Sequence, residues 1–272
     1  GDKVLLSVGR RPVTKGFGLE RRQKTMSKKV LLAGESWMSY TTHVKGFDSF
    51  YTSTYETGEK WLKKALEKNG YEVTFFPNHI AAEEFPYTVE ELKGYDCVIL
   101  SDIGANTLLL PAETFTKSIK KPDRTKVIRD YVMEGGSLLM IGGYLTFSGV
   151  DAKGKWHDTA VQDVLPVEVL TVDDRMEHCD GVRPVTVKEH EALKEIQGEW
   201  PEVLGYNRTV AKEEADVVAL VDGDPFIAFG TYGKGKSAVV TTDCAPHWAP
   251  PEFCEWEYYN RMWQGIMDWL TK

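Results

Sequence analysis

The residues best suited to chemistry come directly after four apolar segments of the chain, each of strand length. A carboxylic acid, a phenol and an imidazole can exchange protons with a substrate near neutral pH, and Glu35, Tyr144 and His247 supply these three groups. They are the predicted catalytic residues. Polar and aromatic neighbours in the same four places are predicted to bind a ligand: Ser36, Trp37, Ser101, Asp102, Asn106, Asp243, Cys244 and Trp248.

Each of these predictions has a structural alternative. Glu35 would have a raised pKa, suited to acid–base work, only if it is buried after its strand. His247 lies in a Cys-Ala-Pro-His-Trp turn, and a lone histidine is commonly a hydrogen-bonded core residue. Asp102 fits a helix cap as well as a ligand contact. Gly142-Gly143 either turns a strand into a helix or forms an elbow that faces a ligand.

Two further segments carry candidate binding residues. The stretch His43–Asp48 is predicted to lie in a long loop after the first strand, where His43 and Lys45 beside aromatic residues suit an anionic or hydroxylated ligand. The same composition also fits a subunit interface. The stretch Trp200–Asn207 is predicted to close over the same end of the sheet, with Asn207 as a ligand contact.

The elements that must position these residues alternate between strands and helices. Apolar runs without alternation are typical of strands buried on both faces, and a fifth, more amphipathic run also reads as a strand. Such alternation predicts a mostly parallel, doubly wound sheet, in which ligands gather at the carboxyl ends of the strands. The five predicted strands are Val30–Ala33, Tyr71–Phe76, Cys97–Leu100, Ser137–Ile141 and Ala238–Thr242.

Helical patterns fill the space between the strands. Thr57–Asn69 places apolar residues on one side and stops before a glycine, while Thr88 and Asp123 are predicted caps. The last helix is predicted near Trp256–Leu270. Residues 160–235 contain short strands between turns, which we interpret as an antiparallel extension of the same sheet. The absence of a linker or repeat predicts one domain over residues 26–272.

Composition and charge restrict the partners. The net charge of −8 combines +7 in residues 1–29 with −15 in the rest, and so acidic a body argues against nucleic acid as a partner. No apolar run is long enough for a membrane helix. Four cysteines without CxxC spacing suit reduced thiols, hence a cytoplasmic location. The predicted partner is a small molecule, and the many aromatic residues, including Trp256, Tyr258 and Tyr259, favour a homo-oligomer.

The first 25 residues differ from the body in charge and pattern. The run VLLSVGRRPVTKGFGLE resembles a stretch of dihydrolipoamide dehydrogenases, but no GxGxxG dinucleotide motif accompanies it. A second start fits at Met26. We interpret residues 1–25 as an appended, non-native or disordered extension without a role in the function.

The body itself resembles a known family. The stretches LLAGESW, HVKGFDSF, LSDIGANTLLL, LGYN and TTDCAPHW are similar to conserved blocks of the class I glutamine amidotransferase-like proteins, which are related to the ThuA-like group. The resemblance covers about Lys29 to Trp269. It implies a flavodoxin-like, three-layer α/β sandwich with a pocket, but it does not define a reaction.

The resemblance also implies a motif order from which this chain departs. In true class I amidotransferases, a Gly-x-Cys-x-Gly elbow is followed late in the chain by His-x-Glu. Here Tyr144 replaces the cysteine, Thr146 the second glycine, and Ala249 the glutamate after His247. Because a phenol with a pKa near 10 is a poor nucleophile at neutral pH, glutamine hydrolysis by the usual route is not expected.

Three functions remain open. The first is an enzyme of another reaction type, with Tyr144 as donor or acid and Glu35 or His247 as base, and a carbohydrate-derived substrate suggested by the related groups. The second is a non-catalytic module that binds a metabolite. The third, a glutaminase, would need Cys244 as nucleophile. A metal site of Asp243, Cys244 and His247 has suitable ligand types but tight spacing and no fourth ligand, so no metal or cofactor is predicted.

Overall fold

The computed structural model describes residues 27–272; the predicted N-terminal extension lies outside the described residues. The strands are β1 (Lys29–Gly34), β2 (Ser36–Lys45), β3 (Asp48–Thr57), β4 (Glu72–Phe76), β5 (Cys97–Ser101), β6 (Ser137–Ile141), β7 (Val167–Val169), β8 (Arg175–Val182), β9 (Val185–Thr186), β10 (Val203–Asn207), β11 (Thr209–Ala211), β12 (Asp216–Val221), β13 (Asp224–Tyr232) and β14 (Gly235–Val240). The α-helices are α1 (Lys60–Lys68), α2 (Asn78–Glu84), α3 (Val89–Leu92), α4 (Ala105–Leu109), α5 (Ala112–Lys117), α6 (Arg124–Met133), α7 (Pro251–Cys254) and α8 (Tyr259–Leu270).

An eight-stranded sheet forms the centre, in the order β4-β1-β5-β6-β14-β13-β12-β9. The first five strands in this order pair in parallel. The last three continue the sheet in antiparallel pairing. This architecture confirms the predicted α/β fold with a mostly parallel sheet and an antiparallel extension.

Apolar clusters cover both faces of the sheet, which explains the strands without alternation. In β1, Val30 and Leu32 belong to the cluster that includes α1 and α8, whereas Leu31 and Ala33 belong to the cluster that includes α6. All four side chains are fully buried. The arrangement is a helix–sheet–helix sandwich, as the burial on both faces requires.

The helix signals correspond to observed caps and faces. Asp123 accepts hydrogen bonds from the N–H groups at the start of α6, and Thr88 with Glu91 forms a capping box at α3. The helix predicted near Trp256–Leu270 is α8, and its buried face contains Tyr259, Met262, Trp263, Ile266, Met267 and Leu270. No helix among residues 27–272 is long and apolar enough to cross a membrane.

The long loop predicted after the first strand is instead an antiparallel hairpin, and that prediction was wrong. Strands β2 and β3 pair along ten residue positions, from Ser36 with Thr57 to Lys45 with Asp48. We call this hairpin, Ser36–Thr57, the arm. It consists largely of Ser, Thr and Tyr, whose intermediate polarity hides the alternation that normally reveals a strand. It also explains why α1 begins at Lys60 and not at Thr57, which is the last residue of β3.

The aromatic residues proposed near the last helix as interface candidates belong mainly to the core. Tyr259 is buried and its hydroxyl donates to the Cys244 carbonyl at 2.6 Å. Trp256 packs on Trp200, with ring centroids 5.1 Å apart. Core packing therefore accounts for Tyr259 and for the inner side of Trp256.

Candidate functional site

One cavity of about 540 Å³ lies where four strand ends meet the base of the arm. The residues that line it are Glu35, Trp37, Gly58, Asp102, Tyr144, Leu145, Val150, Asp243, Ala245, Pro246 and His247. The three predicted catalytic residues therefore share a cavity, together with three predicted ligand-binding residues. Among the described residues that line it, His247 is the single basic side chain.

Glu35 is a buried acid at the end of β1. The Ser101 hydroxyl donates to its Oε1 atom, and the Cys244 thiol donates to the same oxygen at 3.4 Å. Burial, followed by the charges of Asp243 and Asp102, raises the pKa of Glu35 well above its ordinary value. Because Oε1 accepts two donors, a proton taken up by this acid would reside on Oε2.

The local backbone holds Glu35 in place. Its φ is +47°, a left-handed conformation that costs a non-glycine residue of the order of 1 kcal/mol or more. Its N–H donates to the Ser101 carbonyl at 3.0 Å, and its own carbonyl accepts from Gly58 N–H at 2.9 Å. A Cβ atom at Gly58 would come within 2.3 Å of Glu35 Oε2. The glycine thus leaves room for this oxygen.

Asp102 is the second acid of the cavity, and it does not cap a helix. The residue before α4 is Gly104, and no side chain caps that helix. Asp102 Oδ1 instead accepts from Leu145 N–H at 2.8 Å. Burial, followed by the charge of Asp243, raises the pKa of Asp102 to about 6. The carboxylate therefore fixes the turn after β6 while it faces the cavity.

Asp243 and His247 form a pair at the end of β14. Asp243 Oδ1 accepts from the N–H groups of Cys244 and Ala245 at 2.7 and 3.2 Å. Its Oδ2 atom lies 3.7 Å from His247 Nδ1, and the histidine side chain is 44% exposed. The contact with Asp243 raises the pKa of His247, against the effect of partial burial. His247 is thus a cavity residue and not a core histidine.

Tyr144 forms a wall, and its hydroxyl is already engaged. The hydroxyl donates to Glu177 Oε1 at 2.9 Å, and Trp248 Nε1 donates to the other oxygen of that carboxylate at 3.0 Å. The ring of His247 meets the tyrosine edge to face at 4.4 Å, and the Arg175 guanidinium lies 4.7 Å from the ring centroid. Burial, and then the bond to Glu177, raise the pKa of Tyr144, so this phenol stays protonated.

Glu177 and Arg175 were not predicted from the sequence. Both lie on β8, which pairs with β10 outside the central sheet. The rule that ligands gather at the carboxyl ends of parallel strands gives no reason to select them. Their position beside Tyr144 depends on how this small sheet packs, for which the sequence carries no local signal.

Cys244 is fully buried beneath the cavity. Burial, followed by the charges of Glu35 and Asp243, raises the pKa of its thiol well above the ordinary value. Since the thiolate is the reactive form of cysteine, Cys244 is poorly suited to nucleophilic attack. Ligand atoms of Glu35, Asp243 and Cys244 lie within 4.8 Å of one another, but a metal would first have to displace the thiol proton.

Three predicted ligand-binding residues, Ser36, Asn106 and Asn207, do not line the cavity. Ser36 Oγ accepts from Asn78 N–H at 2.7 Å, which ties β2 to α2. Asn207 is fully buried and holds the turn after β6 by hydrogen bonds. Its side chain accepts from Gly143 N–H at 2.9 Å and donates to Asp174 at 2.8 Å. Asn106 is exposed on α4.

Four other predicted binding residues also lie off the cavity lining. Ser101 and Trp248 act through Glu35 and Glu177, as described above. His43 and Lys45 lie on the arm, where His43 stacks on Phe50 at 4.5 Å and the Lys45 ammonium is 5.7 Å from the same ring. The hairpin carries these two side chains away from the strand ends, which a loop folded over the site would not do.

Comparison with known proteins places this geometry in a family. Residues 29–272 match the family model described as "Putative glutamine amidotransferase". Two solved structures from Salmonella typhimurium, the cytoplasmic proteins STM3548 and STM1381, are similar with TM-scores of 0.86 and 0.87 and identities of 42% and 44%. The matches cover 89% and 90% of this chain and 98% and 100% of those chains.

A ThuA-like protein of Parabacteroides merdae has the same fold, with a TM-score of 0.53 and 12% identity over 90% of each chain. A comparison with curated proteins gave no match. The family match spans nearly the whole described chain, and the Salmonella structures share its length and fold. The chain therefore belongs to the glutamine amidotransferase-like family.

Proposed function

We propose that the protein binds a small, neutral, hydroxylated metabolite in the cavity and acts on it by acid–base catalysis. The observation that carries the proposal is the convergence of Glu35, Asp102, Asp243 and His247 on one cavity. Pairs of titratable groups with perturbed pKa values in a shared pocket are typical of active sites. The names of the two Salmonella relatives support a cytoplasmic location.

The charge of the lining supports a neutral ligand. Three carboxyl groups face the cavity, whereas Lys45, the cation that the sequence suggested for binding an anion, lies on the arm. A phosphate or carboxylate ligand would lie among these three carboxyl groups, and the lining offers it no Lys or Arg side chain to pair with. Hydroxyl groups, in contrast, can donate to carboxylates and accept from the protonated Glu35. A carbohydrate-derived ligand has this chemistry.

The walls support a compact ring or short chain. Trp37, Leu145, Val150 and Pro246 supply apolar surface to the cavity that the acids and His247 also line. Binding sites for small molecules commonly combine such walls with a few convergent polar groups, in cavities of roughly 300–1,000 Å³. The observed volume of about 540 Å³ lies within this range.

Two of the groups that line the cavity suit opposite proton transfers. Glu35, with its proton on Oε2, serves as the acid that donates to a substrate oxygen. His247, held by Asp243, serves as the base that accepts a proton through its Nε2 atom when the ring is neutral. Tyr144 then positions His247 through their ring contact of 4.4 Å, and its own hydroxyl remains with Glu177.

Glutamine hydrolysis has less support. Tyr144 replaces the elbow cysteine implied by the resemblance, and the Cys244 thiol is buried with a raised pKa. The thiol contacts Glu35 and Ser101, a carboxyl and a hydroxyl group, and not an imidazole that would remove its proton. Nucleophilic cysteines require such a base or an electropositive setting.

A binding protein without catalysis is the second candidate, and the engaged hydroxyl of Tyr144 favours it. If Tyr144 is the group that must act, its bond to Glu177 and raised pKa leave it unreactive. The same cavity would then hold a metabolite without converting it.

A ligand screen with product analysis separates these functions. Neutral sugars, sugar acids and amino sugars are tested by thermal shift, and each hit is incubated with the protein and analysed by mass spectrometry. We expect neutral sugars to raise the melting temperature, and Glu35→Ala and His247→Ala to lose this shift. A consumed hit indicates an enzyme, and a hit that persists unchanged indicates a binding protein. Hits restricted to sugar acids, or equal binding by both variants, would contradict the proposal.

Ammonia release from glutamine tests the remaining alternative. We expect no release above the buffer rate. Release that disappears in Cys244→Ala would establish the glutaminase and overturn the acid–base assignment.

A further inference from the structure

The arm is a two-stranded ribbon that pairs with no other strand among residues 27–272. Ten residues in each strand give it a length of roughly 33 Å at about 3.3 Å per residue. An isolated ribbon of this kind is marginal in water and commonly needs a surface to pack against. The body of the same chain supplies such a surface only near the base, where Tyr55 meets His79 edge to face at 5.5 Å.

The two faces of the arm differ sharply in charge. Directly paired residues of an antiparallel ribbon project from the same face, and successive pairs alternate between faces. One face receives the pairs Trp37–Glu56 and Lys45–Asp48, and with them every Lys, Asp and Glu of the arm. The other face contains no charged residue and has five large side chains: Met38, Tyr40, Val44, Tyr51 and Tyr55. We call it the uncharged face.

The middle and outer parts of the uncharged face are open to solvent. Tyr40, Val44 and Tyr51 are 77%, 70% and 74% exposed. Phe47, at the tip of the hairpin, has no cover at all. Contiguous apolar and aromatic surface of this extent on a projecting element marks an interaction site, and tyrosine is among the residues enriched at the centres of interfaces.

We propose that the uncharged face of the arm packs against a second copy of this chain, with each copy extending its arm onto the other. Without the arm's uncharged face, two copies would meet through the rest of residues 30–272, which carry a net −15 including the arm's own −1. The arm has one lysine against two acids, so it lets two such molecules approach without a large repulsion. A basic partner or a nucleic acid would need charges that this face does not present.

The area of the arm fits a symmetric pair. A face roughly 33 Å long and two strand spacings, about 10 Å, wide offers at most on the order of 330 Å², since its base already contacts the body. With two arms and the two surfaces that they cover, the pair buries up to about 1,300 Å², which reaches the range of about 1,200–2,000 Å² for stable interfaces. A single arm on an unrelated partner would bury only half as much. Two-fold pairs are also the commonest protein assembly.

The proposed contact is connected to the cavity through the chain. Trp37 belongs to the arm, Gly58 follows it directly, and both line the cavity. Trp37 Nε1 donates to Glu56 Oε2 at 3.1 Å, across the base of the ribbon. Packing of the outer arm on a second copy would therefore restrain a wall of the site, so we expect pairing to favour ligand binding.

Sedimentation velocity of two neighbouring substitutions tests the proposal. Tyr40→Glu places a charge in the uncharged face, whereas Thr41→Glu places the same charge on the opposite face, one residue away, at another exposed position. At micromolar concentration we expect wild type and Thr41→Glu to have twice the 30.7 kDa chain mass or an even multiple of it. Tyr40→Glu should halve that mass.

Tyr51→Glu, from the other strand of the same face, should act like Tyr40→Glu, and circular dichroism should report an unchanged body for all three variants. A monomeric wild type would overturn the proposal. So would an assembly whose mass neither Tyr40→Glu nor Tyr51→Glu reduces, or one that Thr41→Glu reduces equally. Because mass is measured without ligand, the result does not depend on the proposed function.

Discussion

The cavity and the arm begin at the same strand end but are stabilised in opposite ways. At the cavity, polar side chains are buried and held by several partners, as Glu35 is by Ser101 and Cys244. On the arm, large apolar side chains such as Tyr40 are exposed. The first region has the signature of a preorganised site, whose polar groups are fixed before a ligand arrives. The arm has the exposed apolar surface that is typical of an interaction site.

A pair of glycine substitutions should separate the two regions most strongly. In Gly34→Ala, the new Cβ atom would lie 1.7 Å from the Ser101 carbonyl oxygen, at a residue with φ +119°. In Gly46→Ala, at the arm tip with φ +65°, the new atom meets nothing within 4 Å. We expect Gly34→Ala to lower the free energy of unfolding by about 4 kcal/mol or more, and Gly46→Ala by about 1 kcal/mol, as measured by urea denaturation. Equal losses would show that the strand end is no more constrained than the arm.

Removing a buried hydrogen-bonding side chain beneath the cavity should lower the free energy of unfolding more than removing a side chain of the arm. Asn207→Ala removes the partner of Gly143 N–H and of Asp174 in a fully buried place, so we expect a cost of about 2–4 kcal/mol. His43→Ala removes a stacked but partly exposed ring and should cost about 0.5 kcal/mol. Urea denaturation of both variants checks this difference. If Asn207→Ala lowers the free energy of unfolding no more than His43→Ala does, Asn207 does not stabilise the turn after β6.

The buried acid should make stability depend on pH. Because the folded state raises the pKa of Glu35, its contribution is complete below the unfolded pKa of about 4.3 and declines as pH rises toward the folded pKa, at up to about 1.4 kcal/mol per pH unit. Glu35→Gln removes this decline, so its stability relative to wild type should increase with pH. Exposed Glu252→Gln is the control and should show no such trend. A difference between Glu35→Gln and wild type that stays constant with pH would show that the acid is ionised when folded.

The smallest expected effect is on the pKa of the His247 imidazole. The contact with Asp243 is the main cause of the raised pKa of His247, and Glu177 contributes less. NMR titration should therefore find a lower His247 pKa in Asp243→Asn and a smaller decrease in Glu177→Gln. If the order is reversed, Asp243 is not the residue that holds the histidine.

The comparison also shows which parts of the molecule were predictable. Strand ends in a parallel sheet share one edge, so Glu35, Asp102, Tyr144, Asp243 and His247 could be brought together from the order of apolar runs alone. An apolar run without alternation predicts the strand Ser137–Ile141 with its observed bounds. The prediction that these five residues share one site therefore rests on sheet topology and not on a local sequence motif.

The rest depended on packing that no local pattern encodes. Glu177 reaches Tyr144 only because β8 and β10 form a separate small sheet beside the site. Asn207, a predicted ligand contact, instead hydrogen-bonds to Gly143 N–H and Asp174 beneath the turn after β6. The sequence predicts that His43 and Lys45 bind a ligand because it places the stretch His43–Asp48 in a long loop after the first strand. Pairing of β2 with β3 instead directs them outward along the arm.

A crystal structure with the best-binding neutral sugar tests the central claim most directly. We predict that the sugar lies in the cavity, with hydroxyl groups in hydrogen-bond contact with Glu35 and Asp243 and its ring beside Trp37. A sugar bound on the arm near His43 and Lys45, with the cavity empty, would contradict the account.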